Sequence, residues 1–214
     1  MILRFTIVFI FLVSIPICSQ DDKNSVFIPD EIGVLYNFTS EENFLFNDPD
    51  YTYKAHVFKL QGIYDVKSWR TTSLQFLISP QTHRIEHQLL NEQFVTPSET
   101  DYLNKRNEFT QLKTITLLGL EFGISLKQKL FHKFYGVLTA GVGIANIDRR
   151  TERLASGFTF IENGSLGFLY QISSKYQLYS GMQIGHVSNF DFKQPNSGYN
   201  NLGAEFGIRY QLQK

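Results

Sequence analysis

The sequence predicts an all-β chain, an eight-stranded antiparallel up-and-down transmembrane β-barrel. Three observations carry this. Apolar residues alternate with small or polar ones in stretch after stretch, the period-two signature of half-buried strands. The face opposite the apolar stripe is mostly glycine with a few Glu, Gln and Arg. That is a poor solvent-facing surface, but it suits the crowded lumen of a narrow barrel whose apolar stripe meets lipid. The connections between stretches alternate between short and long, as they do in outer-membrane barrels.

The chain opens on a leader. Met1 to Arg4 carries one positive charge, Phe5 to Ile17 is almost unbroken apolar sequence, and Cys18-Ser19 precedes the polar run from Gln20. This reads as a cleaved signal peptide over 1–19, with the barrel domain over 20–214. The apolar run is shorter than the roughly 20 residues a membrane-spanning helix needs. A lipoprotein anchor at Cys18 would want a small residue where Ile17 stands. Cys18 is the sole cysteine, so the mature chain has no disulfide, thiolate nucleophile or cysteine metal site.

The strands are expected at 32–38, 53–65, 68–78, 112–126, 134–147, 158–172, 175–188 and 200–212. The first three alternate weakly; the last five alternate clearly. In the fourth, Leu118, Leu120, Phe122, Ile124 and Leu126 oppose Gly119, Glu121, Gly123 and Ser125. In the fifth, Leu138, Ala140, Val142 and Ile144 oppose Thr139, Gly141 and Gly143. In the sixth, Leu166, Phe168 and Tyr170 oppose Ser165, Gly167 and Gln171. In the seventh, Leu178, Met182 and Ile184 oppose Gln177, Gly181, Gln183 and Gly185. In the eighth, Leu202, Ala204, Phe206 and Ile208 oppose Gly203, Glu205, Gly207 and Arg209. Glu121, Gln183, Glu205 and Arg209 are thereby expected to form a polar network inside the barrel. Connections at 66–67, 127–133 and 173–174 are short; those at 39–52, 79–111, 148–157 and 189–199 are longer. With eight strands, both termini then lie on the periplasmic side and the long loops at the outer leaflet.

Composition excludes other classes. Twenty Lys+Arg balance twenty Asp+Glu, which argues against a nucleic-acid binder. Aromatics at 15%, chiefly 20 Phe and 11 Tyr, exclude a disordered chain and favour strands and membrane interfaces. A soluble lipid-binding barrel is the alternative that the alternation alone leaves open.

The junction of the last two strands reads His186-Val187-Ser188-Asn189-Phe190-Asp191-Phe192-Lys193-Gln194-Pro195-Asn196-Ser197-Gly198-Tyr199-Asn200. His186 and Ser188 are two apart and so share a strand face, with the parity of Met182 and Ile184. Asn200 shares parity with Leu202 and Phe206. An imidazole, a hydroxyl and an amide thus meet on the lipid-facing side at interface height. A pore has no use for that arrangement, whereas an enzyme attacking a lipid ester does.

These residues resemble the lipid A 3-O-deacylases (PagL type) and their acyloxyacyl-hydrolase-like relatives. The motif is H-x-S-N, a short insert, then P-N-x-G-x and a Glu or its substitute, carried here by His186, Ser188, Asn189, Pro195, Asn196 and Gly198. The resemblance implies an outer-membrane serine esterase that removes an ester-linked acyl chain from lipid A of lipopolysaccharide. His186 would be general base, Ser188 nucleophile and Asn200 the orienter of the imidazole, with Asn189, Asp191 and Asn196 supporting the oxyanion. It implies lipopolysaccharide and outer-membrane lipid as partners, an active site facing the outer leaflet, and no cofactor, metal or nucleic acid; a homodimer is left open. Two departures stand out: Asn200 replaces a Glu, and Phe190-Asp191 replaces small residues. A non-enzymatic structural or adhesive barrel is the alternative those departures keep in view.

One rival motif remains. His83-Arg84-Ile85-Glu86-His87 fits H-x-x-E-H, with Glu162 downstream as a third metal ligand. That chemistry needs a helix, and these residues are expected in a long loop, Glu162 in a strand; no metal site is expected.

Overall fold

In the computed structural model the described residues are 28–212; the expected leader at 1–19 lies outside them. Eight strands follow one another: β1 (Glu31–Ser40), β2 (Tyr51–Trp69), β3 (Thr72–Leu89), β4 (Lys113–Phe131), β5 (Phe134–Ile147), β6 (Gly157–Gln171), β7 (Tyr176–Ser188) and β8 (Tyr199–Gln211). Each pairs with the next, and β8 returns antiparallel to β1, closing the barrel. Closure removes the unpaired edges that an open sheet would expose.

The two faces divide as the alternation predicts. Leu118, Ile124, Leu138, Val142, Leu166, Met182, Ile184 and Phe206 are exposed around the outer wall. An apolar belt of this extent is far larger than a soluble monomer tolerates, but it is what a bilayer requires of a barrel. The fold is that of an eight-stranded outer-membrane β-barrel.

Inside, Lys59 lies 3.3 Å from Glu121 and 4.0 Å from Glu205. Glu205 also accepts from the Asn37 amide and the Tyr179 hydroxyl, both at 2.9 Å. Gln183 bonds Asn37 and Asn163, and Asn163 donates to Glu121. Toward the other end of the barrel Glu31 takes Lys127 at 2.8 Å and lies 3.8 Å from Arg209. The cavity left among the Lys59, Glu121 and Glu205 groups is ≈ 10 Å³, room for about one water. The barrel is plugged by its own side chains.

Three expected boundaries are corrected. β3 runs on through Pro80 to Leu89, so the loop expected at 79–111 begins only at residue 90. That loop holds a single 3₁₀ turn (Glu92–Phe94) and one short helix, α1 (Tyr102–Phe109). The connection expected at 66–67 is a β-bulge between Asp65 and Lys67, and the chain reverses instead at Arg70-Thr71. The connection expected at 127–133 shrinks to His132-Lys133, because Lys127 is still in the ladder with its ammonium inside the barrel.

The lumen is also less uniform than expected. Near the long loops it is apolar: Tyr53, Ile85, Ile115, Leu117, Ile161 and Tyr199 pack under Val95, Phe109 and Leu154 from the loops. In β3 beyond Pro80, Ile85 is buried while Arg84 and Glu86 are exposed. At this end the wall carries polar side chains outward and apolar ones inward, the pattern of a protein surface in water.

Candidate active site

β6, β7 and β8 lie side by side, and their register fixes the site. His186 on β7 pairs with Asn200 on β8 and with Glu162 on β6. Ser188 pairs with Phe160 on β6. All five have the parity of the exposed Met182, Ile184 and Phe206, so they belong to the outer wall at its long-loop end.

The Nδ1–H of His186 donates to Asn200 Oδ1 at 2.7 Å. An amide oxygen only accepts, so this bond requires its proton on Nδ1, and in the neutral ring Nε2 is then the acceptor. His186 is half-buried, and Ser188 is only 8% exposed. Among the described residues no hydrogen bond joins the imidazole to the Ser188 hydroxyl; such bonds are commonly long before substrate binds.

The loop over Ser188 is held from both sides. Asn189 and Phe192 close a turn whose two central residues, Phe190 (φ 50°) and Asp191 (φ 63°), are left-handed. Bulky residues rarely adopt that conformation, and it persists only where surrounding contacts impose it. Asn189 N–H donates to Asn196 Oδ1 at 2.6 Å, and Asn189 Nδ2 donates to the Lys193 carbonyl at 2.7 Å. Asn196 Nδ2 donates to Asp191 Oδ1 at 3.0 Å. The side chains expected to support an oxyanion are therefore engaged in the loop itself, where they fix its shape.

The β5–β6 loop clamps this one. Ala155 N–H donates to the Pro195 carbonyl at 2.9 Å, Gly198 N–H to the Arg153 carbonyl at 3.0 Å, and Arg153 Nε back to the Gly198 carbonyl at 2.7 Å. Gly198 is at φ +63°, and a Cβ there would lie 2.1 Å from the Val187 carbonyl oxygen and 3.1 Å from Ser188 Cβ. Only glycine lets the returning chain pass this close to the hydroxyl-bearing residue. That close passage is the physical content of the glycine in the P-N-x-G stretch.

The sequence model of the lipid A 3-O-deacylase (PagL) family matches residues 93–209, more than half of the chain and all of β4 to β7. The chain belongs to the lipid A 3-O-deacylase (PagL) family. The matched span contains His186, Ser188, Asn189, Asp191, Asn196 and Asn200. Among solved structures, the fold is similar to the outer membrane enzyme PagL, at 14% identity and a TM-score of 0.51, over 85% of this chain and 99% of that one. Neisserial surface protein A matches at 10% identity and a TM-score of 0.48, over 85% and 95% of the two chains. The outer membrane protein OprG from Pseudomonas aeruginosa matches at 9% identity and 0.41, over 87% and 97%. No curated protein sequence matches the chain.

Sequence reasoning missed two features of this candidate site. One is the aromatic wall beside Ser188: Phe160 meets Phe190 with ring centroids 4.7 Å apart and Phe158 at 4.9 Å, and Phe192 lies 6.0 Å from Phe160. The other is Glu162, weighed only as a metal ligand. The metal reading fails on geometry: His83 and His87 point into the barrel from β3, whereas Glu86 and Glu162 face outward. His87 instead pairs with Glu152 at 2.8 Å, and its ring stacks on Tyr53.

Proposed function

We propose that this barrel removes one ester-linked acyl chain from lipid A of lipopolysaccharide, working from the outer leaflet with Ser188 as nucleophile. The observation that carries the reading is the His186–Asn200 hydrogen bond at 2.7 Å, with Ser188 one step along the same lipid-facing row. An ester held in the leaflet reaches such a wall without leaving the membrane. The long-loop end then faces the cell exterior, and residues 1–19 serve as the export leader.

The steps follow from the residues. Ser188 Oγ attacks the ester carbonyl as His186 Nε2 takes its proton. The acyl–oxygen bond breaks, His186 returns the proton to the departing sugar hydroxyl, and the acyl group stays on Ser188. Water, deprotonated by the same nitrogen, then releases the fatty acid and restores the serine. Asn200 keeps Nε2 directed at the reaction by holding Nδ1–H. Asn189, Asp191 and Asn196 fix the shape of the loop over Ser188 through their own hydrogen bonds.

Expression in a lipopolysaccharide-bearing host should produce lipid A lighter by one hydroxyacyl chain, read by mass spectrometry. Unchanged lipid A across several lipopolysaccharide types would favour a non-enzymatic barrel, the reading that Asn200 in place of Glu supports. Asn200→Ala should lower turnover about tenfold, the worth of one orienting hydrogen bond. Asn200→Glu should maintain or raise it, because a carboxylate also stabilises the imidazolium. A slower Asn200→Glu enzyme would show that the amide is doing something other than holding the ring.

A further inference from the structure

We infer that Glu162 supplies the negative charge that Asn200 cannot, acting as an electrostatic positioning residue for His186; this rests on the esterase reading above. In a serine hydrolase the imidazole becomes an imidazolium as it takes the serine proton, and a neighbouring anion stabilises that state. Changing such an Asp to Asn costs about 10⁴ in rate in a serine-protease triad. Here the orienting residue is already an amide.

The register places a carboxylate on the other side of the ring. Glu162 and His186 are direct partners across β6 and β7, which sets their Cβ atoms about 4.5–5.5 Å apart on the same face. His186 is thus the middle of a three-residue row, Glu162–His186–Asn200, running across three strands on the outer wall. The amide holds one nitrogen, and the carboxylate shares the ring's face from the adjacent strand.

Glu162 has no other evident employment. It makes no hydrogen bond or ion pair among the described residues, and its neighbour on β5 is the exposed, apolar Val142. A carboxylate on the lipid-facing side of a barrel is unfavourable without compensation. The luminal carboxylates Glu121 and Glu205 have cationic partners, but they lie on the opposite face of the wall.

Among the described residues nothing else charged faces the ring from the elements around it. On β6 its neighbours are Phe160, Glu162 and Gly164, on β7 Ile184 and Ser188, and on β8 Asn200 and Leu202. In the loop above, Asp191 is engaged by Gln194 and Asn196, and Lys193 by the Ser156 carbonyl. Glu162 is therefore the carboxylate set beside the ring by the register.

The test has one arm without turnover and one with it. In Ser188→Ala protein folded in detergent, the His186 ring is titrated by NMR, its signal assigned by loss in His186→Ala. Adding Glu162→Gln, which preserves shape and removes the charge, should lower the titration midpoint by about half to one pH unit. In the active protein Glu162→Gln should reduce kcat about tenfold with little change in KM, and move the acid limb of the pH–rate profile to lower pH. Asn200→Glu placed in the Glu162→Gln background should restore both. An unchanged His186 midpoint, or no rescue by Asn200→Glu, would overturn the assignment. A shifted midpoint in a barrel that hydrolyses no lipopolysaccharide would uphold the pairing and remove the esterase reading.

Discussion

Ser188→Ala should leave lipid A with all of its acyl chains, a loss on the order of 10⁴-fold or more in turnover. His186→Ala should do the same, and the double variant should be scarcely worse, because a nucleophile and its base act as one unit on the proposed route. Both barrels should still fold. Ser188 and His186 lie on the outer wall, contribute nothing to the luminal ion pairs, and leave the β7 ladder unaltered when truncated. The checks are the mass of lipid A from expressing cells and the heat-modifiable mobility of each variant. Residual deacylation by Ser188→Ala within tenfold of the native chain would rule out the acyl-serine route. A nucleophile would then have to be sought elsewhere along the wall.

Why was this pair legible in the sequence when its carboxylate neighbour was not? Parity within a strand is local: two residues two apart share a face whatever the rest of the chain does. His186, Ser188 and Asn200 could therefore be placed on the lipid side from Met182, Ile184 and Leu202 alone. Pairing between strands depends on the turn that joins them. A two-residue turn at 173–174 would set Glu162 opposite Gly185. The ladder instead pairs Gln171 with Gln177, five residues intervene, and Glu162 moves opposite His186. One residue in a turn separates an unremarkable strand carboxylate from the partner of an imidazole.

The missed half of β3 has a different cause. Outward-facing apolar residues mark a strand only where lipid surrounds it. Beyond Pro80 the outward residues are Thr82, Arg84 and Glu86, and the inward ones mix His83 and His87 with Ile85 and Leu89. Proline also withholds a ladder N–H, which reads as a strand end. Lys127 misled in the opposite sense, since a lysine near a hairpin reads as turn and solvent. Its burial becomes reasonable only once Glu31, from the far end of the sequence, is seen 2.8 Å away. Such long-range compensation is invisible to any local window.

The same compensation sets the second large expectation, which concerns stability. Lys59→Met should destabilise the barrel by about 3–5 kcal/mol, the range for removing one partner of a buried ion pair. Lys59 is the cation beside both Glu121 and Glu205, so its loss leaves two carboxylates facing each other in a plugged lumen. Glu205→Ala should cost less, because Lys59 keeps Glu121, Asn37 keeps Gln183, and the Tyr179 hydroxyl keeps Ser165 at 3.4 Å. Adding Glu121→Gln and Glu205→Gln to Lys59→Met should recover much of the loss, since uncharged groups of the same shape carry no unpaired charge into the interior. Urea unfolding in detergent micelles, followed by loss of heat-modifiable mobility, ranks the variants. A Lys59→Met barrel as stable as the parent would mean that the luminal carboxylates need no cation. None of these changes touches the outer wall, so each folded variant should retain the chemistry of Ser188. A catalytically dead Glu205→Ala in a well-folded barrel would instead connect the lumen to the site, against the division of faces on which the whole assignment stands.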